Sequence, residues 1–289
     1  MKLKEGKIID MHTHTSFSDG NLTPEELVLH ASKNDIGIMS ITDHDTILGI
    51  KEFQENNIQN DDYPIVIPGI ELTAKVSHGR MHILGYGIDV NNPKLNDKLS
   101  ELHDNSIHSF LAYAYQLEKD YGIYFNKEDI DNLVDSNRNI GRPDLAILCV
   151  KYGYANSVDD AFNKYLISVF NKIRGDNPGI SYEECLSIIK ISGGISSIAH
   201  PHSLELNNLQ LLRLLREMAS CGLDAIEVFH PHHTKEQTQD YILLANNLNL
   251  LQSGGSDYHG HIAKPDIEIG RGINNNICIK KLSLLNRFK

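Results

Sequence analysis

Short apolar runs rich in β-branched residues recur along the chain and alternate with stretches of helical spacing. Seven runs are long enough to be strands, namely "KIIDM", "IGIMSI", "PIVIPGI", "MHILGYGI", "GGISSIA", "LDAIEVF" and "NLLQSGG". In most of the segments between them, apolar residues repeat every three or four positions, as on one face of a helix. Near-continuously apolar strands that alternate with helices predict an α/β fold, in which a parallel sheet, open or closed into a barrel, is covered by helices.

The pattern changes between about residues 94 and 171, where helical segments follow one another without a strand between them. "LNDKLSELHDNSIHSFLAYAYQLEKDYG" and "SVDDAFNKYLI" are examples. We expect an inserted helical subdomain at 94–171, with the barrel in two parts, 1–93 and 172–289. An insertion of this kind serves for packing, as a cap over a site, or for both, and the sequence favours neither role.

Composition narrows the class of protein. A chain of 289 residues suits one large domain, or one domain with an insertion. Its net charge of −11 argues against a broad basic face for duplex nucleic acid. The four cysteines form no C-x-x-C motif, and no stretch is apolar enough for a secretion signal or a membrane span. We therefore expect a cytoplasmic protein with no membrane or protein partner evident.

Histidines and carboxylates cluster where the apolar runs end. The carboxyl ends of the strands in a parallel α/β barrel meet at one rim, so residues scattered over the chain can share a site. The residues at run ends are His12, His14, Asp43, His44, Glu71, His200, Glu227, His230, Asp257 and His259, and His82 lies at the start of a run. So many imidazoles and carboxylates at strand ends predict a metal site.

The first run shows why the residue types matter. His12 and His14 are two positions apart in an extended segment, so their imidazoles project to the same side and one metal can bind both. Asp19 lies in a turn before a helix that we expect to carry Pro24 at its first position. Glu71 terminates an apolar run, where a carboxylate needs a partner such as a cation.

Seven motifs together resemble the successive motifs of the PHP (polymerase and histidinol phosphatase) superfamily of metal-dependent phosphoesterases. They are "DMHTHTSFSDG", "TDHDT", "PGIELTA", "MHILGY", "GGISSIAHP", "IEVFHPHH" and "GGSDYHG". The inserted segment, with "GRPDLA" and "AFNKYL", is similar to the branch of nucleoside 3′,5′-bisphosphate phosphatases and 5′-nucleotide-releasing RNases. This resemblance implies a distorted (β/α)7 barrel with a small inserted helical subdomain.

The resemblance also implies a set of metal ligands. Three divalent ions, of Mn, Fe or Zn, would be bound by nine residues, all of which are present in this chain. The first ion would be held by His12, His14 and Asp257, the second by His82 and His200 with Glu71 bridging these two, and the third by Asp19, His44 and His259.

The implied reaction is hydrolysis of a nucleotide phosphate ester by a metal-bound hydroxide, with no protein nucleophile. Asp10 and Asp43, which flank ligands, would accept hydrogen bonds from imidazoles and orient them. The expected substrate is a small phosphorylated molecule, either a nucleoside 3′,5′-bisphosphate or a mononucleotide.

Arg142 in "NIGRPDLAIL" is the predicted phosphate-binding residue, because a guanidinium binds phosphate through two parallel hydrogen bonds. Related sequences often have His where this chain has Asp144, and a carboxylate there would repel phosphate. His230 and His232 are further candidates for substrate contacts.

Four alternatives remain at this point. The enzyme could be a 5′-3′ exoribonuclease on short RNA or a histidinol-phosphate-type phosphatase. An amidohydrolase-type barrel also begins with H-x-H. This alternative is disfavoured by the pair Asp257 and His259 and by the turn at Asp19. A non-catalytic metal-binding PHP domain is disfavoured because the ligand set is complete.

Overall fold

A computed structural model of the chain describes residues 6–56, 62–76, 79–136, 138–173 and 180–288. The chain divides into two compact units. The sheet unit comprises Met1–Asp97 and Ile180–Lys289, and the helical unit comprises Lys98–Gly179. The bounds expected for the insertion, 94 and 171, stay a prediction.

The sheet unit is built on a seven-stranded sheet, and each of the seven predicted runs overlaps one of its strands. The α/β fold predicted from the sequence is thereby confirmed. The strands follow one another in chain order across the sheet. They are β1 (Ile8–Thr13), β2 (Ile36–Ile41), β3 (Ile65–Ala74), β4 (Met81–Tyr86), β5 (Ile195–Ile198), β6 (Ala225–Phe229) and β7 (Leu251–Gly254). A separate hairpin pairs β8 (Ile267–Glu268) with β9 (Gly272–Ile273).

Strand β4 runs antiparallel to both β3 and β5, so the expectation of an all-parallel sheet is wrong at this strand. The connection from β3 to β4 is too short for the crossover that parallel strands require. Because β4 is reversed, its first residues lie at the edge where the parallel strands end, and His82 pairs with Thr73.

Strand β3 is longer than expected. It continues past Glu71 to Ala74, because its pairing with β4 extends to Ala74 and Met81. Glu71 therefore lies inside a strand and not at its end, which corrects the expectation from the apolar pattern.

The two outer strands of the sheet, β1 and β7, approach each other where the chain leaves β7. Thr13 forms an isolated parallel bridge with Tyr258, and the N–H of His14 donates to the carbonyl of Tyr258 at 2.9 Å. The sheet order gives no ladder between β1 and β7 in the described strands. Closure of the sheet into a barrel stays a prediction.

Helices connect the strands and form the helical unit. In the described part of the chain they are α1 (Pro24–Lys33), α2 (Leu48–Glu55), α3 (Pro93–Tyr121), α4 (Lys127–Val134), α5 (Arg142–Lys151), α6 (Val158–Ala161), α7 (Ile167–Ile173), α8 (Tyr182–Ile191), α9 (Asn208–Ser220) and α10 (Lys235–Leu248). A π-helical turn, Phe162–Leu166, joins α6 to α7, and 3₁₀ turns occupy Pro201–Leu204 and Ser283–Phe288.

The start of α1 confirms the prediction from the sequence. Pro24 is its first residue, and Thr23 accepts from the N–H of Glu26 while the Glu26 carboxylate accepts from the N–H of Thr23. This reciprocal capping satisfies two N–H groups that the helix itself leaves unpaired. It fixes the point at which the turn containing Asp19 ends.

Each unit has its own apolar core. In the sheet unit the core lies among the strands and the C-terminal segment, and includes Ile9, Met11, Ile38, Leu84, Tyr86, Ala225 and Leu284. In the helical unit it includes Phe110, Leu117, Ile140, Leu145, Cys149 and Val169. Burial of such side chains stabilises each unit at about 25 cal/mol per Å² of apolar surface. None of the helices among the described residues has the length and apolar character to cross a membrane.

Candidate metal centre

The imidazoles of His12 and His14 lie side by side at the end of β1. Their ring centres are 5.2 Å apart and both side chains are buried. Nε2 of His12 and Nε2 of His14 lie 3.0 and 3.2 Å from Oε2 of Glu71. The same nitrogens lie 3.4 and 3.3 Å from Oδ1 of Asp257. One ligand atom from each of the four residues falls within 4.8 Å of the others.

Glu71 lies fully buried at the middle of this cluster. Besides the imidazoles of His12 and His14, its Oε2 meets Nδ1 of His44 at 3.3 Å. Its Oε1 meets Nδ1 of His82 and Nε2 of His200, each at 3.0 Å. The reversal of β4 explains how His82, near the start of its strand, reaches the same carboxylate as residues that follow parallel strands.

Asp19 organises a second group of side chains. Its Oδ1 lies 3.1 Å from Nε2 of His259 and 3.7 Å from Nδ1 of His14, and its Oδ2 lies 3.8 Å from Nε2 of His44. Ligand atoms of these four residues fall within 4.8 Å of one another. His14 therefore belongs to both groups, and its ring stacks on that of His259 with centres 3.9 Å apart.

Two of the side chains in the cluster are carried by unusual backbone conformations. His200 and Asp257 have φ of 25° and 54°, the left-handed region that non-glycine residues seldom adopt. The N–H of His200 donates to Oε2 of Glu227 at 2.6 Å, which holds this conformation in place. Just before Asp257, a Cβ on Gly255 would lie 2.4 Å from the backbone nitrogen of His12. Only glycine lets β7 pass so close to β1.

The hydrogen bonds of His200 determine which ring nitrogen faces the cluster. The hydroxyl of Ser203 donates to the carbonyl of Arg80 at 2.9 Å, so its oxygen accepts from Nδ1–H of His200 at 2.8 Å. Nε2 of His200 then carries the lone pair and faces Glu71. A lone pair and a carboxylate oxygen repel each other unless a cation lies with them.

His12 and His259 are oriented in the same way. Nδ1–H of His12 donates to Oε1 of Glu227 at 2.9 Å, and Nδ1–H of His259 donates to the carbonyl of Asp257 at 2.9 Å. In both, Nε2 is left to face the carboxylates of the cluster. Hydrogen bonds of this kind from the outer ring nitrogen are typical of metal-binding histidines.

Electrostatics favours a cation among these groups. Burial lowers the pKa of His82 to about 3, more than Glu71 raises it, so this imidazole is neutral at pH 7. Burial also lowers the pKa of His14, but Asp257 and Glu71 outweigh burial and raise it to about 9. Burial raises the pKa of Glu71, yet the facing imidazoles, first His44, hold it well below its usual value. An ionised carboxylate in the middle of the cluster needs positive charge around it.

The unpartnered atoms test whether metal ions fit the cluster. Within the described ranges, four buried atoms have no aligned hydrogen bond, namely both ring nitrogens of His14, Nδ1 of His44 and Oδ1 of Asp19. Buried polar atoms seldom lack a partner, and those that do point to an ion or a water. Imidazole nitrogens and carboxylate oxygens are the donors that Zn, Mn and Fe accept. The residues present therefore fit divalent ions.

The structure brings together all nine residues that the resemblance implies as ligands. Which residues hold which ion stays a prediction. One feature differs from the expected partition, because His44 approaches Glu71 as well as Asp19. Ligand atoms of His44, Glu71 and His82 form a third set within 4.8 Å.

Asp10 and Asp43 do not orient imidazoles as expected. In the described structure Asp10 accepts from Ser256 and from the N–H groups of His12 and Gly270. Asp43 accepts from the N–H and hydroxyl of Thr15 and from the hydroxyl of Ser18. Because both carboxylates are used by backbone and hydroxyl donors, they hold in place the loops that carry the ligands.

The carboxylate that does orient an imidazole of the cluster is Glu227. It is fully buried on β6 and binds the ring of His12 and the backbone of His200. Burial raises the pKa of Glu227, but the facing imidazoles, first His12, together outweigh burial and lower it to about 2. The sequence shows a carboxylate inside the apolar run "AIEVF", which signals a buried charge in need of a partner. Glu227 is among the run-end residues found from the sequence, but its role is not predicted there. Lys264, whose Nζ lies 2.5 Å from Oδ2 of Asp257, is missed from the sequence altogether.

The predicted phosphate-binding residue, Arg142, begins α5 in the helical unit. Its guanidinium carbon lies 4.0 Å from the ring centre of Phe170. Asp144 is buried, pairs with Arg138, and accepts from the N–H of Gly141 at 2.7 Å. Its charge is therefore balanced within the unit and serves the start of α5, which weakens the expected repulsion of phosphate.

The other two predicted substrate contacts, His230 and His232, follow β6. His230 is buried, and its Nε2 lies 3.3 Å from Oδ2 of Asp257. Its Nδ1 accepts from the N–H of His232 at 3.2 Å, and the side chain of His232 is exposed. Contact of either residue with substrate stays a prediction.

Comparison with known proteins identifies the family. The model of the PHP domain matches residues 10–265, a span that includes all nine clustered residues. The chain belongs to the PHP domain family. A solved PHP-like relative, a metal-dependent phosphoesterase from Bifidobacterium adolescentis, superposes with a TM-score of 0.78 at 28% identity, covering 95% of this chain and 94% of that one.

Two relatives of this PHP domain protein carry names that describe activities. The 5′-3′ exoribonuclease Rnm of Escherichia coli (strain K12) is 32% identical over 269 residues, covering 91% of this chain and 88% of Rnm. The 3′,5′-nucleoside bisphosphate phosphatase of Chromobacterium violaceum is 27% identical over 257 residues, covering 87% of each chain. Similarity thus extends over nearly the whole length of both relatives.

Proposed function

We propose that this PHP domain protein is a metal-dependent hydrolase of phosphoester bonds in nucleotides, acting on a nucleoside 3′,5′-bisphosphate or a mononucleotide. The observation that carries the proposal is the convergence of five imidazoles on the single buried carboxylate of Glu71. The names of the relatives support phosphoester chemistry and a nucleotide or short-RNA substrate.

Nine residues would hold divalent ions, three per chain, of Mn, Fe or Zn. They are His12, His14, Asp19, His44, Glu71, His82, His200, Asp257 and His259. Ions bound there supply the charge that lowers the pKa of an attacking water and neutralises phosphate oxygens. Glu227 keeps His12 in the tautomer whose Nε2 faces the centre, and Ser203 does the same for His200. No serine or cysteine nucleophile is required.

Substrate binding would involve side chains outside this set. Arg142 binds a phosphate of the substrate through its guanidinium, and His232, which is exposed, contacts a phosphate near the centre. The four cysteines are all free thiols, which suits the reducing cytoplasm that we propose as the location of the enzyme.

A second activity, 5′-3′ exoribonuclease on short RNA, is favoured by the similarity to Rnm over 91% of this chain. Both activities need the same centre, because in each a water attacks a phosphorus whose leaving group is the 3′-oxygen of a 5′-nucleotide. They differ in what else that phosphorus carries, which is only oxygen atoms in a bisphosphate and the next nucleotide of the chain in RNA.

The test is a screen of product release by the Mn²⁺-loaded protein. Nucleoside 3′,5′-bisphosphates, mononucleotides, histidinol phosphate and 5′-phosphorylated oligoribonucleotides are compared at equal concentration. Release of inorganic phosphate from a bisphosphate supports the first proposal, and release of 5′-nucleotides from the oligoribonucleotide supports the second. A protein that binds ions yet turns over none of these substrates contradicts both and favours a non-catalytic metal-binding domain.

Arg142→Ala tests the proposed phosphate contact. We expect kcat/KM to fall, and the loss of transition-state stabilisation calculated from that fall to be about 1.5–3 kcal/mol, the value of a hydrogen bond to a charged group. Arg142→Lys keeps the charge but lacks the paired donors, so it should recover only part of the loss. Lys127→Ala, at an exposed position of the same unit, is the control. Unchanged kinetics in Arg142→Ala, with metal content intact, would place Arg142 away from the substrate.

A further inference from the structure

Three histidines outside the nine proposed ligands form a cluster of their own beside the centre. His202 lies in the 3₁₀ turn after β5, and His230 and His233 lie just after β6. Their ring centres form a nearly equilateral triangle, with separations of 5.2, 5.2 and 5.1 Å. One ring nitrogen from each lies within 4.8 Å of the other two. We call these residues the histidine triad.

The tautomer of His233 is determined by the backbone. Its Nδ1 lies 3.1 Å from the carbonyl of Val228, which can only accept, so Nδ1 carries the proton. Nε2 then carries a lone pair, and it is buried without a hydrogen-bond partner among the described residues. This is the arrangement seen at His259 in the centre, where a backbone carbonyl also binds the outer nitrogen.

His202 supplies a second unpartnered nitrogen. In the part of the chain that the structure describes, its Nδ1 is buried without a hydrogen-bond partner, although the residue as a whole is half-buried. Its ring meets that of His233 edge-on, with centres 5.1 Å apart and planes at 77°. Two buried nitrogens without partners on neighbouring rings indicate that something absent from the protein itself lies between them.

We propose that the histidine triad binds a further divalent ion of the Zn²⁺ type. The site adjoins the proposed centre, since Nε2 of His230 lies 3.3 Å from Oδ2 of Asp257. It is distinct from that centre because none of its three residues belongs to the nine ligands. Hydrolysis as proposed above does not require this ion, so the inference goes beyond the proposed function.

The chemistry of the triad selects a cation. The free nitrogen of His233 is an acceptor in the tautomer that Val228 enforces, so it attracts a cation and repels a phosphate oxygen. Both ring nitrogens of His230 have partners in the protein, the N–H of His232 and the carboxylate of Asp257, so an ion at the triad replaces one of these two contacts. Three imidazole ligands with no carboxylate among them favour Zn²⁺ and its transition-metal neighbours over Mg²⁺, which prefers oxygen.

The spacing of the rings fits a single ion. Three imidazoles bound to one tetrahedral ion through bonds of about 2.0–2.1 Å have ring centres roughly 5 Å apart. The observed separations of 5.1 and 5.2 Å match this arrangement. Access is also present, because His202 is half-buried and the adjacent His232 is exposed. The fourth position of the ion would then face solvent.

The experiment measures Zn²⁺ per chain after reconstitution and desalting, by elemental mass spectrometry. His233→Asn is the main variant, because the asparagine amide can still donate to Val228 while the atom at the Nε2 position is lost. We expect wild type to bind one more Zn²⁺ per chain than His233→Asn and His202→Asn. His232→Asn, on the same loop but outside the triad, is the matched control and should bind as many ions as wild type.

Equal Zn²⁺ content in wild type and in folded His233→Asn and His202→Asn overturns the proposal. If one variant fails to fold, as judged by circular dichroism, the other decides. Anomalous diffraction at the zinc edge from wild-type crystals decides independently. A peak about 2 Å from the triad nitrogens supports the site, and phosphate density or no peak there contradicts it. Phosphate release by the same samples reports separately on the proposed function.

Discussion

At the scale of single residues, Glu71 carries the most interactions in the centre. One carboxylate, fully buried, meets imidazoles that arrive from four different parts of the chain. Removing a partner from a buried charge is costly because the charge that remains has neither water nor an ion pair. The centre is therefore expected to respond sharply to the loss of any of its charges.

Asp257→Asn tests this response without disturbing the backbone, because asparagine adopts positive φ as readily as aspartate. We expect turnover to fall by more than the roughly 10–100-fold typical of changes outside the ligand set, and bound metal to decrease. Phosphate release and metal content are measured together. Asp266→Asn, the same change at an exposed position nearby, is the control. A variant that keeps most of its metal and activity would remove Asp257 from the ligands.

Glu227→Gln tests the carboxylate that orients His12 and His200. Glutamine offers one acceptor oxygen, so either the ring of His12 or the N–H of His200 must face an NH₂ group. We expect metal affinity to fall roughly 10–100-fold and the free energy of unfolding to fall by about 1–3 kcal/mol. Competition with a chromophoric chelator and urea unfolding measure the two effects. Exposed Glu236→Gln should change neither, and equal affinity in Glu227→Gln and wild type would contradict the assigned role.

The residues of the centre differ in how far the sequence could predict them. The pairing of His12 and His14 follows from local spacing, and the other proposed ligands follow from motifs that resemble a family. The role of Glu227 could not be predicted in the same way, because its partner His12 is 215 positions away in the chain. The same holds for Asp10, whose acceptor role depends on the loop at Ser256 on the far side of the sequence.

At the scale of elements, the apolar pattern predicts that a strand exists but not its direction. All seven runs became strands, yet nothing in "MHILGYGI" distinguishes a buried antiparallel strand from a parallel one. The short connection after β3 is the only local sign of the reversal. Pairing with the reversed β4 also extends β3 beyond Glu71 to Ala74. The apolar run ends before Glu71, so the apolar pattern alone predicts a strand that is too short.

Gly255→Ala tests the close approach of β7 to β1. A methyl group at this position would lie 2.4 Å from the backbone nitrogen and 2.5 Å from Cβ of His12. The strands must move apart, which we expect to lower the free energy of unfolding by about 1–3 kcal/mol and to reduce metal content. Denaturant unfolding and elemental analysis measure both quantities.

Gly141→Ala is the matched control for this substitution, because the nearest atom to its added methyl would be 3.7 Å away. It should leave metal content unchanged. If Gly255→Ala binds metal and unfolds like wild type, the two strands have room that the structure does not show.

At the scale of the whole molecule, each unit buries one of the two inaccessible thiols. Cys149 lies in the helical unit and Cys185 in the sheet unit, and both are fully buried, whereas Cys221 and Cys278 are exposed. Burial raises the pKa of Cys149 to about 11, so little of it is thiolate at neutral pH. A thiol reagent at pH 8 should modify two cysteines rapidly in the native protein and four after unfolding.

The matched comparison uses Cys278→Ser and Cys149→Ala. The first should lose one of the two rapidly reacting thiols, and the second should lose neither. Rapid reaction of three or four thiols in the folded protein would mean that at least one unit opens far more readily than its packed core implies.

The left-handed backbone at His200 and Asp257 lowers the stability of the fold at two positions whose side chains the proposed centre needs. Each non-glycine residue in that region costs about 1–3 kcal/mol, and glycine would adopt it without strain. In a mutational scan scored by folding alone, glycine should therefore rank high at both positions. In a scan scored by hydrolysis it should rank at the bottom, because it has no side chain to offer an ion. Selection for thermal tolerance without selection for activity would be expected to erode the centre first at these two turns.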